Sequence, residues 1–124
     1  MSSILNIAII GCGKHASDFH MPSFIRLKKK FNVIGVFDKK ITRAKAFGKK
    51  HSIKKIYKST NELLKDDKID IVDVCSPPKF HFKQILESIK KNKDVMVEKP
   101  MVLKSLDLKK ILKINLKLKK KILC

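Results

Sequence analysis

Tryptophan is absent from this sequence, Tyr57 is its one tyrosine, and among its 30 basic residues only Arg26 and Arg43 are arginines. These scarcities weigh against nucleic-acid recognition, which is the obvious reading of a net charge of +19. Lysine neutralises phosphates and releases counterions. Base readout and bidentate phosphate contacts favour arginine, however, and single strands are held on aromatic platforms. The lysines are also spread along every expected helix instead of forming one block, as solvated outer faces would be. A polyanion partner is therefore the weakest of the readings the sequence supports.

Cysteine is sparse as well. Cys12, Cys75 and Cys124 are odd in number and widely spaced, so they match neither a disulfide framework nor a zinc-ligand pattern. No metal site is expected, and a reduced cytoplasm is the natural compartment. Long apolar runs are missing: no segment approaches the ~18 apolar residues that span a bilayer. Ile9-Ile10-Gly11-Cys12 looks briefly like a lipoprotein cleavage site, but no Lys or Arg precedes it and its apolar run is too short for a signal core. Repeats and low-complexity linkers are also lacking. With 44% apolar and 33% charged residues the composition is that of a globular protein. Residues 1–124 read as one domain, long enough to bury roughly two-thirds of its unfolded surface.

The stretch around which the rest is organised is Ile7-Ala-Ile-Ile-Gly-Cys-Gly-Lys-His-Ala16. An apolar strand over 4–10 runs into Gly11 and Gly13, and a helical pattern follows at once, as at the start of a dinucleotide-binding βαβ unit. Gly11 permits the tight turn, Gly13 lets backbone approach a pyrophosphate, and Ala16 lets the helix pack close. The helix N-terminus presents unpaired N–H groups to the phosphates. The spacing predicts that first helix over 14–29, with Ala16, Phe19, Phe24 and Leu27 inward and a break or kink at Pro22 near Met21.

A second strand over 32–38 ends on Asp38, close to the offset at which a Rossmann-type carboxylate accepts from the adenosine ribose hydroxyls. A carboxylate there repels a 2′-phosphate, so NAD is favoured over NADP, although Lys39 and Lys40 would attract that phosphate. The plainer alternative is a strand-end Asp that caps the next helix. A helix over 41–51 carries Ile41, Ala44 and Phe47 inward, and a short strand over 53–57 follows. Ser59-Thr-Asn-Glu62 is a capping box that starts a helix over 60–65, the serine and glutamate each satisfying the other's backbone N–H. A strand over 70–75 is stopped by Ser76-Pro77-Pro78 at the end that faces ligand in open α/β sheets. His81 lies in the first turn of the next helix, on the ligand-facing side. A strand over 94–97 delivers Glu98-Lys99-Pro100 to the same end, a helix spans about 105–118, and a sixth strand begins near Lys120.

The landmarks GCGKHASDFHMP, FD at 37 and 38, SPPKFH and VEKP stand in a fixed order over essentially the whole chain. Together they resemble the N-terminal NAD(P)-binding domain of the Gfo/Idh/MocA oxidoreductases, the glucose-fructose oxidoreductase and inositol dehydrogenase group. The resemblance implies an α/β, doubly wound, parallel Rossmann sheet and hydride transfer between nicotinamide and a carbinol carbon of a sugar, cyclitol or related substrate. By position it assigns the pyrophosphate to Gly11, Cys12, Gly13, Lys14 and His15, and the ribose to Asp38. Ser76, Pro77 and His81 would line the cofactor cleft, while Glu98 and Lys99 approach the nicotinamide ribose. Lys99 is the catalytic residue it implies, hydrogen-bonding the reacting oxygen and stabilising developing alkoxide charge.

Members of that family continue into a second α/β domain that supplies proton-transfer partners and an oligomerisation sheet. This sequence stops near strand six, so a truncated Rossmann domain without a C-terminal substrate domain is expected, incomplete as a catalyst alone. Three readings stay open: a split member that needs a complementing chain, a non-catalytic NAD-binding module, and a basic nucleic-acid binder. A bare strand edge and uncovered apolar patches predict self-association.

Overall fold

The fold grows outward from β1, Leu5–Ile10, in a computed structural model that describes residues 3–124. Ile7 and Ile9 enter one buried cluster and Ala8 and Ile10 the other, so this strand is apolar because both of its faces are covered. It pairs in parallel with β2, Phe31–Phe37, on one side and with β4, Ile71–Val74, on the other. With β3 (Lys55–Ile56), β5 (Asp94–Val97) and β6 (Ile122–Leu123) the sheet runs β3-β2-β1-β4-β5-β6, every neighbouring pair parallel. The chain winds out from β1 to β3 and then returns to the far side of β1. That reversal between β1 and β4 opens a crevice at the carboxyl ends of the strands, where α/β sheets take ligands. The doubly wound parallel sheet expected from the sequence is the one observed.

Helices α2, Ile41–His51, and α1, Met21–Arg26, cover the Ile7/Ile9 face. The opposite face lies under α3 (Thr60–Lys65), α4 (His81–Lys90) and α5 (Ser105–Leu118), which bury Leu63, Ile85, Ile89 and Ile111. Three of these helices and β5 have the limits that periodicity predicts. At α3 the capping serine accepts the Glu62 N–H at 3.0 Å, but the Glu62 carboxylate accepts from Lys58 N–H at 2.9 Å and not from the serine's own amide. Among the described residues no helix is long and apolar enough to cross a membrane.

The first helix departs most from expectation. Ala16–His20 forms a π-helical turn that leads into α1. Proline cannot donate to the carbonyl four residues back and its ring would collide there, so a wider turn ahead of Pro22 lets the helix continue. The wide turn adds one residue to the inward spacing. Ala16 is followed by Met21 and then Phe24 in the core, and Phe19 and Leu27, expected inward, are exposed at 63% and 44%. His20, four residues from both Ala16 and Phe24, lies on their side and faces the sheet. Ile41 is likewise exposed, because α2 begins there and only Ala44, Phe47 and Gly48 lie over the strands.

Candidate functional site

At the carboxyl end of β1, Gly11 has φ +97° and donates its N–H to the Phe37 carbonyl at 2.8 Å. A Cβ at this position would stand 2.6 Å from the Ser76 nitrogen and 2.7 Å from the Cys75 carbonyl carbon. Glycine is therefore needed both for its conformation and for the close passage of the loop after β4. Gly13 differs: a Cβ there meets nothing within 4 Å, so this turn faces open space where backbone can approach a ligand.

Asp38, at the end of β2, is buried. Its Oδ2 accepts the Cys12 N–H at 2.9 Å and its Oδ1 accepts the Lys40 N–H at 2.8 Å, while Arg43 Nη1 lies 3.7 Å from Oδ2. The carboxylate thus ties the glycine turn to the start of α2. Burial, reinforced by the Asp38 charge, pushes the neighbouring Cys12 thiol up to about 12, which leaves it protonated and unreactive at neutral pH. A cavity of about 320 Å³ opens beside Asp38, walled by Gly11, Lys39, Lys40, Arg43, Ser76, Pro77 and Phe80. An open groove on the other side of the turn is lined by Cys12, Gly13, Lys14 and again Arg43. The cavity beside Asp38 and the groove at Gly13 flank a glycine turn at the switch point, where open α/β sheets take ligands.

His81 is not on the cavity wall, contrary to the position expected for it. It is wholly buried behind the wall, with Nε2 at 2.7 Å from the Ser76 carbonyl oxygen and Nδ1 at 2.8 Å from the Pro100 carbonyl oxygen. Each neighbour only accepts, so the ring nitrogen that carries the proton donates to its carbonyl, and the buried ring lies between the loop after β4 and the turn after β5. Its place is explained by the start of α4: the turn Pro78–Phe80 carries Phe80 to the cavity and rotates the next side chain inward. The Ser76 hydroxyl is engaged with the Gln84 side chain.

A second constellation lies at the ends of β4 and β5. Asp73, in the buried strand β4, has its Oδ2 2.7 Å from His20 Nδ1, and its Oδ1 has no hydrogen-bond partner among the described residues. The other nitrogen of His20 donates to Glu98 Oε1, an oxygen that also lies 2.9 Å from His15 Nε2. The hydrogen bond and charge of Asp73, aided by Glu98, hold His20 up to about 9 in spite of its burial, so the ring is cationic at neutral pH. The same contact with His20 holds Glu98 below the usual carboxylate range. Burial and the nearby Asp73 push the Cys75 thiol strongly up. Lys99 follows Glu98 in the turn and is exposed, as is Lys14.

Of the residues singled out in the sequence, the structure gathers Gly11, Cys12, Gly13, Asp38, Ser76 and Pro77 around the two hollows, and Glu98 and His15 at the β5 end. His20 and Asp73 were not singled out. A signal existed for Asp73: a carboxylate inside the apolar run Asp70-Ile-Val-Asp-Val-Cys75 has to find a partner, because a buried unpaired charge is costly.

A parallel doubly wound sheet with a glycine turn, a carboxylate after β2 and hollows at its switch point defines a dinucleotide-binding Rossmann domain. The pattern of the oxidoreductase family with an NAD-binding Rossmann fold, Gfo/Idh/MocA, matches residues 5–124, and the chain belongs to that family. It is similar to the D-glucoside 3-dehydrogenase of Escherichia coli, 32% identical over 80% of this chain and 28% of the relative. It is also similar to the trans-1,2-dihydrobenzene-1,2-diol dehydrogenase of Bos taurus, 32% identical over 78% of this chain and 29% of the relative. Among solved structures, an oxidoreductase from Thermotoga maritima superposes with TM-score 0.91 at 26% identity, covering 97% of this chain and 37% of its own. The WlbA dehydrogenase of Chromobacterium violaceum, solved with NADH and UDP-GlcNAcA, superposes with TM-score 0.90 at 26% identity over 98% of this chain and 34% of its own. The chain thus corresponds to the NAD-binding half of such enzymes and spans about a third of the length of the relatives it matches.

Proposed function

We propose that this chain holds NAD, with NADP as a second ligand, for an oxidoreductase acting on a CH–OH carbon of a sugar, cyclitol or diol, and that Lys99 is its catalytic residue. The observation that carries this reading is convergence: the ends of β1, β2, β4 and β5 bring the glycine turn, Asp38, Ser76-Pro77 and Glu98-Lys99 to one edge of the sheet. Bound nicotinamide supplies a hydride acceptor at C4. The backbone at Gly11, Cys12 and Gly13, with Lys14 and His15, holds the pyrophosphate, and Asp38, beside the cavity, takes the ribose. Glu98 and Lys99 meet the nicotinamide end. The ammonium of Lys99 hydrogen-bonds the reacting oxygen and stabilises the charge that develops as its proton leaves. Lys39, Lys40 and Arg43 rim the same cavity, so a 2′-phosphate finds cations as well as the Asp38 carboxylate, and this supports dual use of the two cofactors.

The test is fluorescence titration of the chain with NADH and NADPH, beside Asp38→Ala and Lys99→Ala, followed by a turnover assay after adding the substrate domain of a relative as a separate chain. Saturable NADH binding that weakens in Asp38→Ala is expected, as is turnover that requires the added domain and Lys99. Saturable binding with no turnover in the complex would reduce the chain to a non-catalytic NAD module. Nucleic-acid affinity that falls with salt, without NADH binding, would leave the polycation reading. Exposed Leu106, Leu112 and Leu116 on α5, and the β6 edge, support association with a second copy or a complementing chain; a monodisperse monomer in sedimentation would refute that.

A further inference from the structure

The histidine between two carboxylates connects three separate parts of the chain: the helix that leaves the glycine turn, the middle of β4, and the turn after β5. Asp73 has no exposure, and its bonded partner is the His20 ring. Glu98 is partly exposed at the mouth of the crevice and is followed directly by Lys99. A rigid ring bonded at both ends transfers the fixed position of a buried strand residue to a partly exposed carboxylate. Resting on the proposed cofactor role of Glu98 and Lys99, we propose that His20 is a positioning residue: pinned on Asp73, it sets the Glu98 carboxylate and with it the Glu98-Lys99 turn at the nicotinamide end of the site.

Charge makes the device sensitive to pH. The groups facing the ring are Asp73 and Cys75 from β4 and its end, Glu98 from the end of β5, and His15 from its own helical segment. Cys75 is held protonated, so the ring faces two carboxylates and one exposed imidazole. As an imidazolium His20 donates to both carboxylates at once. After losing a proton it donates to one, and the buried Asp73, which water cannot reach, keeps the bond. Glu98 is then released.

Carboxyl 13C NMR of the free chain between pH 7 and 10, with NADH titrations over the same range, tests this. The Glu98 carboxyl signal is expected to show an inflection with the His20 titration, near 9. NADH affinity is expected to fall about tenfold across it, the size of one charge-assisted hydrogen bond. His20→Asn keeps a donor for Asp73 but does not reach Glu98. It is expected to stay folded but melt below the wild type at neutral pH, bind NADH about tenfold more weakly at pH 7.5, and lose the inflection. A Glu98 signal that ignores the His20 titration overturns the proposal whether or not NADH binds, and so does wild-type NADH affinity in His20→Asn. Failure of the wild type to bind NADH, with the Glu98 inflection intact, removes the cofactor reading and leaves the clamp standing.

Discussion

Two buried carboxylates, Asp38 after β2 and Asp73 within β4, lie on the two strands that flank β1 and are satisfied in opposite ways. Asp38 accepts two backbone amides, from Cys12 and Lys40, which cannot titrate and cannot rotate away. Asp73 relies on the side chain of His20, which can do both. The β2 side of the crevice is therefore fixed by the main chain, and the β5 side by a charge that solution conditions can remove. On the proposed assignment, the end that takes the adenosine is held rigidly and the end that takes the nicotinamide is adjustable.

The comparison is broken most severely at the glycine turn. Gly11→Ala forces a Cβ into the backbone at Cys75 and Ser76 from a φ that only glycine adopts freely, and neither loop can yield without moving β4. A loss of roughly 3 kcal/mol or more is expected in urea unfolding, enough to leave much of the chain unfolded. Asp38→Ala removes the acceptor for two buried amides and should cost about 2 kcal/mol in the same measurement as well as weakening NADH. Its effect is expected to be the same at pH 7 and pH 9, because backbone amides do not titrate.

The other side of the comparison is sharpened by pH alone. The His20 value is raised from 6.5 unfolded to about 9 folded, so its stabilisation is complete below about 6.5 and is lost as pH rises through about 9. Unfolding midpoints in urea should fall over that window in the wild type and stay flat in His20→Asn. The smallest effect on stability belongs to Gly13→Ala, whose Cβ meets nothing within 4 Å. Its stability should stay within about 0.5 kcal/mol of the wild type, while NADH binding weakens because the added methyl stands where the pyrophosphate approaches. A Gly13→Ala chain that unfolds early would show that this turn is held by packing and not kept open for a ligand.

The strand segments and the glycine turn were legible because their signals are local: apolar runs for buried parallel strands, turn residues at their ends, and a glycine doublet between strand and helix. The inward face of the first helix was legible only at Ala16 and Phe24, because the wide turn ahead of Pro22 carries Met21 into the core and leaves Phe19 and Leu27 outside. His20 stands four residues from both Ala16 and Phe24 and shares their side of the helix, so its ring reaches Asp73 and Glu98 while Phe19 faces solvent. The place of His81 was misread for a similar reason, since the short turn Pro78–Phe80 sets the phase of α4.

The sequence by itself determined the strands, the glycine turn and the carboxylate after β2, each a property of a few consecutive residues, and the order of these landmarks along the chain carried the resemblance to a doubly wound sheet and its family. Only the tertiary structure decided that Asp38 is spent on two amides, that His81 is buried between two loops, and that Asp73, His20 and Glu98 form one connected charge system. Those facts depend on side chains far apart in the chain, held within 3 Å by strand pairing and by the phase of two helices, and no local pattern encodes that phase.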